Sequence, residues 1–175
     1  MIDLEEIKNK IIKRENFYLL AIVFFIFGID RYSKIEIINN FSDTSVYLND
    51  FLNFDLIWNT GIGFGLLKSN TALFYNLIST LIGLVVLILF FLALRSKSFD
   101  KIIYSIIIGG ALGNFYDRVF YNAVPDFIDI HYGNFHWFTF NIADIFITVG
   151  IIALIIYVMD SIFSNVLNVF YSFFV

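Results

Sequence analysis

The chain has 175 residues and a formal charge of −4, from 11 basic and 15 acidic side chains. It is 59% hydrophobic and only 15% charged, with a mean hydropathy of +0.82, whereas soluble domains run about 45–50% apolar and about 25% charged, so the composition points to a membrane protein. The absence of cysteine excludes disulfides, thiolate catalysis and thiolate metal sites; the lack of a basic stripe argues against nucleic acid; and two histidines, His131 and His136, make a His-rich metal site an unattractive expectation, with a carboxylate site for a hard cation left open.

Four apolar segments are read in chain order. The first spans about 17–38. Its strictly apolar part, Phe17–Ile29, follows Lys8, Lys10, Lys13 and Arg14 in the manner of a signal peptide, but no small-residue cleavage site follows it, and an uncleaved span is preferred. Asp30, Arg31 and Lys34 interrupt its far end. The next stretch, about 40–68, partly alternates apolar and polar residues over Val46–Trp58. That pattern predicts short strands, followed by a turn-rich Asn59-Thr-Gly-Ile-Gly-Phe-Gly65. The second span, about 71–94, is long enough to cross the roughly 30 Å hydrocarbon core. The third, about 102–120, turns polar after Leu112. Val124-Pro-Asp-Phe-Ile-Asp129 follows it, with Pro125 disfavouring helix at Val124 and setting Asp126 on a turn or a newly started segment. The fourth span, about 138–163, carries Asn141 and Asp144 near its start, and an aromatic tail continues over 163–175.

Basic residues orient this chain. They precede span one and recur between spans two and three as Arg95, Lys97 and Lys101, so the positive-inside rule puts both termini in the cytoplasm and residues 39–70 and 121–137 outside. The expected architecture is a single membrane all-α domain: four transmembrane helices with a small extracytoplasmic β-rich element.

Charges at membrane depth are functional suspects. Asp30 and Lys34 share a helix face at i, i+4, as do Asn114, Asp117 and Arg118, and Asn141, Asp144 and Thr148 form a third polar stripe. Gly109 and Gly113 form a small-xxx-small pair that admits another helix. Each group also has a plain structural reading: an ion pair at a span end, helix packing with a salt bridge, or a buried Asp bonded to a neighbouring helix. Asp126 alone fits a surface loop or N-cap as readily as a catalytic role. Two aspartates on different elements, however, are able to share a proton and hydrolyse an amide. A small proton- or ion-coupled transporter relaying through Asp126 and Asp144 is the rival reading, weakened by the lack of an inverted repeat. A non-enzymatic assembly subunit, with every charge structural, is a second.

Five blocks occur in a familiar order: Asp30-Arg-Tyr-Ser-Lys34, Asn59-Thr-Gly-Ile-Gly-Phe-Gly65, Gly109-Gly-Ala-Leu-Gly-Asn-Phe-Tyr-Asp-Arg118, Val124-Pro-Asp-Phe127 and Phe140-Asn-Ile-Ala-Asp144. Over residues 17–160 the chain resembles the lipoprotein signal peptidase (signal peptidase II) family. The resemblance implies an aspartyl peptidase of the bacterial cytoplasmic (inner) membrane, its active site toward the outer side. Its substrate would be a diacylglyceryl-modified prolipoprotein, cut just before the lipidated cysteine. Asp126 and Asp144 would be the catalytic pair, and Asp30, Lys34, Asn59, Gly61, Asn114, Arg118 and Asn141 would shape or support the site. The partners implied are this substrate, membrane lipids and inhibitors of the globomycin type; no metal or organic cofactor is implied. Three departures from the family pattern touch local geometry: Ser33 stands where Thr is usual, Ile62-Gly63 where small residues are usual, and Pro125 where an aliphatic residue is usual.

Overall fold

The computed structural model describes residues 14–61 and 72–174. Lys8, Lys10, Lys13 and the Ile62–Gly65 half of the turn-rich block lie outside them. Four helices and a small antiparallel sheet are found among the described residues. In chain order these are α1 (Arg14–Asn40), β1 (Val46–Asn49), β2 (Leu52–Asn59), α2 (Ala72–Arg95), α3 (Ser98–Tyr121), β3 (Val124–Tyr132), β4 (Phe135–Phe140) and α4 (Ile142–Phe174).

Helix α3 is central and packs against α1, α2 and α4. Its glycines explain how closely. A Cβ on Gly109 would meet Ile26 and the Val23 carbonyl of α1, and one on Gly110 would sit 2.6 Å from the Ala143 carbonyl of α4. One on Gly113 would collide with the Asp30 carboxylate. Helix α1 buries one stripe, Leu19, Val23, Ile26, Asp30, Lys34 and Ile37, spaced by three and four residues. Leu19 and Val23 join Val86 and Ala93 of α2 and Ile108 of α3 in the apolar core.

The outward faces are also apolar: Phe24 and Phe25 of α1, Leu84 and Phe91 of α2 and Ile152 and Ile156 of α4 are all exposed. Two helices, over Tyr75–Arg95 and Ile142–Tyr171, are apolar and long enough to cross a membrane. Helices α1 and α3 owe their lower hydropathy to charges turned inward rather than to a polar outer face: Asp30, Lys34, Lys101, Asp117 and Arg118 are all buried. Lys101, read from sequence as part of a cytoplasmic loop, lies in the first turn of α3, where its Nζ donates to Asn16 Oδ1 at 2.6 Å.

The sheet runs β1-β2-β3-β4. Strands β1 and β2 fall inside the expected β-rich segment, but half of the sheet comes from residues 124–140, which were read as an outer loop and the opening of span four. Phe135-His-Trp-Phe-Thr-Phe140 pairs with β3 as a strand, so the helix does not begin at 138 but at Ile142. Hydropathy alone does not separate an aromatic strand from the start of an apolar helix. The aromatic tail after 163 continues α4 as helix to Phe174.

Helix α3 stops because Asn122 adopts the left-handed conformation, φ 54°, a common way to end a helix. That sharp exit sends the chain straight into β3 and sets Asp126 on a strand rather than on a turn. Pro125 is tolerated there because β4 pairs only from Ile128 onward, leaving β2 as the sole neighbour strand at that point. Gly133, φ 57°, supplies the positive φ that the two-residue turn between β3 and β4 demands.

Candidate active site

The end of β2, the start of β3, the first turn of α4 and the polar faces of α1 and α3 converge on one hydrogen-bonded network. Asp126 is 3% exposed, and its two carboxylate oxygens accept from different elements. Asn59 Nδ2 at the end of β2 donates to Oδ2 at 2.9 Å, and Asn141 Nδ2 donates to Oδ1 at 2.6 Å. The β2–β3 register places Asn59 opposite Val124, two residues from Asp126.

Asn141 precedes α4 and does more than hold Asp126. Its Oδ1 accepts from the Asp144 backbone N–H at 3.1 Å, while its own N–H donates to Asp144 Oδ2 at 3.1 Å. This is a reciprocal cap, the side chain before the helix and the side chain three residues on each satisfying the other's backbone donor. Asp144 Oδ1 accepts a further bond from Asn114 Nδ2 on α3 at 2.8 Å. One residue, Asn141, therefore bonds both aspartates.

Asp126 is pushed up to about 7, because burial disfavours its charged form and the neighbouring Asp144 charge repels it. The Asn59 and Asn141 donors and the Lys34 charge pull the other way and do not prevail. A carboxyl group with such a value passes between acid and base near neutral pH, as general acid–base work requires.

Around this pair sits a cationic frame. Lys34 is fully buried and engages all three ammonium donors: Asp30 Oδ2 at 2.9 Å, Asn114 Oδ1 at 2.9 Å and Asp117 Oδ2 at 2.8 Å. It thereby fixes the amide that holds Asp144. Asp30 Oδ1 accepts from the Ala143 N–H at 2.9 Å, so α1 caps the start of α4, where a negative charge is favoured. Arg118 Nη2 donates to the Gly61 carbonyl at 2.6 Å, and the Gly61 N–H donates to Asn59 Oδ1 at 2.8 Å. Arg118 thus orients Asn59, and through it Asp126.

All nine residues singled out from the sequence as catalytic or supporting lie in this network. Two contributors carried weak sequence signals. Arg31, noted only as a charge near a span end, pairs with Asp117 at 2.6 Å and lies over the Tyr116 ring at 4.9 Å. Tyr75, in a featureless apolar run, donates to the Arg118 carbonyl at 3.1 Å.

Two apolar grooves meet at Asp144. One, about 610 Å³, runs between α2, α3 and α4 past Leu81, Val85 and Ile151, with Asn114, Arg118 and Asp144 at its polar end. The other, about 250 Å³, lies between β4 and α4, against Phe138, Phe140 and Val149. Thr148, one turn after Asp144, lines both.

Residues 22–160 match the family described as Signal peptidase (SPase) II. The chain belongs to the signal peptidase II family. It is 47% identical over 161 residues to a lipoprotein signal peptidase of Pelagibacter ubique (strain HTCC1062), covering 90% of this chain and 95% of that one. It is 38% identical over 145 residues to a lipoprotein signal peptidase of Francisella tularensis subsp. novicida (strain U112), covering 79% and 88%. A solved bacterial membrane enzyme, determined by the in meso method at 2.3 Å, superposes with a TM-score of 0.67 at 30% identity, over 82% of this chain and 88% of that one. Membership makes the chain a peptidase and a membrane enzyme. The transporter reading finds no support in any of these likenesses.

Proposed function

We propose that this signal peptidase II removes the signal peptide from diacylglyceryl-modified prolipoproteins, cutting just before the lipidated cysteine, with Asp126 and Asp144 as the catalytic pair. The observation that carries the reading is the bridge of Asn141 between two carboxylates, each of which also accepts from a second asparagine, Asn59 for Asp126 and Asn114 for Asp144. Two neighbouring carboxylates in a buried site hold one proton between them. The ionised member takes a proton from water as the water oxygen attacks the amide carbon. The protonated member gives its proton to the carbonyl oxygen. The pair then gives a proton to the amide nitrogen and takes one back from a hydroxyl of the tetrahedral intermediate as the carbon–nitrogen bond breaks, so that it ends holding one proton again with a carboxylic acid and an amine as products. Asp30, Lys34, Asn59, Gly61, Asn114, Arg118 and Asn141 position the pair without touching the scissile bond.

The grooves suit such a substrate. A lipidated precursor has two apolar limbs, the signal segment before the scissile bond and the acyl chains just after it, and two apolar grooves lead to Asp144. The test is turnover of matched peptides, with and without the diacylglyceryl group, by the purified protein. The lipidated peptide is expected to be cleaved and its unlipidated counterpart to be cleaved poorly, since the acyl chains supply anchoring and positioning. Equal cleavage of both would overturn the substrate assignment.

We read all four helices as membrane spans, with both termini in the cytoplasm of a bacterial inner membrane and the sheet outside. Apolar outer faces with charges turned inward support this, as does the place of Arg95 and Lys97 at the α2–α3 connection, the end opposite the sheet. In a chain without cysteine, single cysteines at Ser42 and Lys97 should label from opposite sides of the membrane. Labelling of both from the outside would remove the four-span arrangement.

A further inference from the structure

Strand β3 carries a second cluster of ligating side chains, away from the carboxylate pair. Asp129 and His131, two residues apart, stand on the same side of the strand, and the β3–β4 register sets His136 directly opposite His131. His136 Nδ1 lies 2.7 Å from Asp129 Oδ2, and His131 Nδ1 lies 3.5 Å from the same oxygen. One donor atom from each of the three residues falls within 4.8 Å of the others. Asp129 is 2% exposed and His131 is 8% exposed, yet Asp129 Oδ1 and His131 Nδ1 have no hydrogen-bond partner among the described residues. Buried polar atoms left this way are uncommon and call for a physical reason.

We propose that Asp129, His131 and His136 form a binding site for a divalent transition-metal ion of the zinc class on the outer hairpin. Two imidazoles and one carboxylate are a donor set that zinc accepts. Bonds of about 2.1 Å around a tetrahedral ion put ligand atoms roughly 3.4 Å apart, and the separations of 2.7 and 3.5 Å bracket that value. His136 is exposed, so its ring has room to move back from the 2.7 Å hydrogen-bond distance toward roughly 3.4 Å, and it leaves the fourth position open toward solvent. The ion would give His131 Nδ1 the partner it lacks among the described residues and, through His136 and Asp129, tie β4 to β3. Because β4 leads directly into Asn141, the tie stiffens the strand that delivers the residue bonded to both aspartates. A bare Asp129–His136 hydrogen bond is the alternative, and it predicts no metal affinity.

The test uses the full-length protein in detergent, free of any tag and stripped with a chelator. Zn²⁺ alone is titrated by calorimetry, and Co²⁺ alone is followed by its visible spectrum. Uptake of one equivalent per chain is expected, with the cobalt spectrum of a low-coordinate nitrogen–oxygen site. His136→Ala, at an exposed position, should keep the fold and weaken Zn²⁺ binding by about tenfold or more. Asp129→Asn should do the same, and Zn²⁺ should raise the melting temperature of the wild type but not of either variant. Uptake by the wild type no greater than that of a His131→Ala/His136→Ala double variant, or binding unchanged in His136→Ala, would overturn the proposal.

Discussion

Asp30 and Asp117 meet cations, whereas Asp126 and Asp144 meet amides. Lys34 and Arg31 contact both carboxylates of the first pair. Asn59, Asn141 and Asn114 serve the second. The four residues are chemically identical and belong to one network, so the difference lies in their partners. A buried carboxylate beside a cation gains most of its favourable energy only while ionised, and losing its charge strands the cation. A carboxylate held by amides keeps its bonds in either state, because the amide only donates to an oxygen that need not be charged. The first arrangement makes a fixed frame; the second leaves the proton free to move. Lys34 and Asn114 join the two halves: the ammonium donates to the Asn114 oxygen while the Asn114 nitrogen donates to Asp144.

The sharpest way to break this comparison is to neutralise the amide-held pair. Asp126→Asn and Asp144→Asn keep side-chain size but cannot cycle between acid and base. Each should lower turnover of a lipidated peptide by about a thousandfold or more while leaving the fold intact. The double variant should lose little beyond that, because groups acting as one unit are non-additive. Robust cleavage by folded Asp144→Asn would end the aspartyl mechanism for this chain.

The cation-held pair should respond in stability first. Lys34→Met keeps the length of the side chain and removes three donors from a fully buried site. Removing one partner of a buried ionic group costs about 3–5 kcal/mol, and unfolding in detergent should show a loss of that order. Activity should fall as well, since Asn114 loses its anchor. Adding Asp30→Asn should recover part of the stability by removing one stranded charge. A Lys34→Met protein as stable as the wild type would mean that the frame is ornamental.

The frame and the pair were unequally legible in the sequence. Asp30–Lys34 and Asn114–Arg118 are neighbours on single helices, and helical spacing is a local property that the sequence displays. Asn141 and Asp144 likewise sit within one turn. What spacing did not reveal is which stripe meets which. That Lys34 reaches across to Asp117, or that Asp30 caps α4, depends on how closely α1 and α4 approach the glycines of α3. Asp126 was narrowed only to a turn or a newly started segment for a related reason: that segment is a strand because β2, far away in sequence, pairs with it. The same holds for Phe135–Phe140, whose last three residues were read as the start of a span, and for His131 and His136, which meet through hairpin register.

The smallest expected effect is also the most specific, because it reads the proton on the amide-held pair itself. Asp126 is pushed up to about 7 by burial and by the Asp144 charge. With the folded value raised above the unfolded one, the neutral acid is the form that folding favours. The stability this contributes is present at low pH and is lost as pH rises from about 4 through about 7. Activity follows the same sign: above the pair's upper value the shared proton is gone, no acid remains to protonate the carbonyl oxygen, and kcat/KM should fall on the alkaline side. Asn59→Ala removes a donor that favours the carboxylate form. The proton is then held more tightly, so the alkaline limb should move to higher pH even though the peak rate drops. A purely structural loss would scale the whole profile down and leave the limb where it was. A limb that stays in place, or moves to lower pH, would show that the titrating group is not Asp126 and that its amide partners do not set its proton affinity.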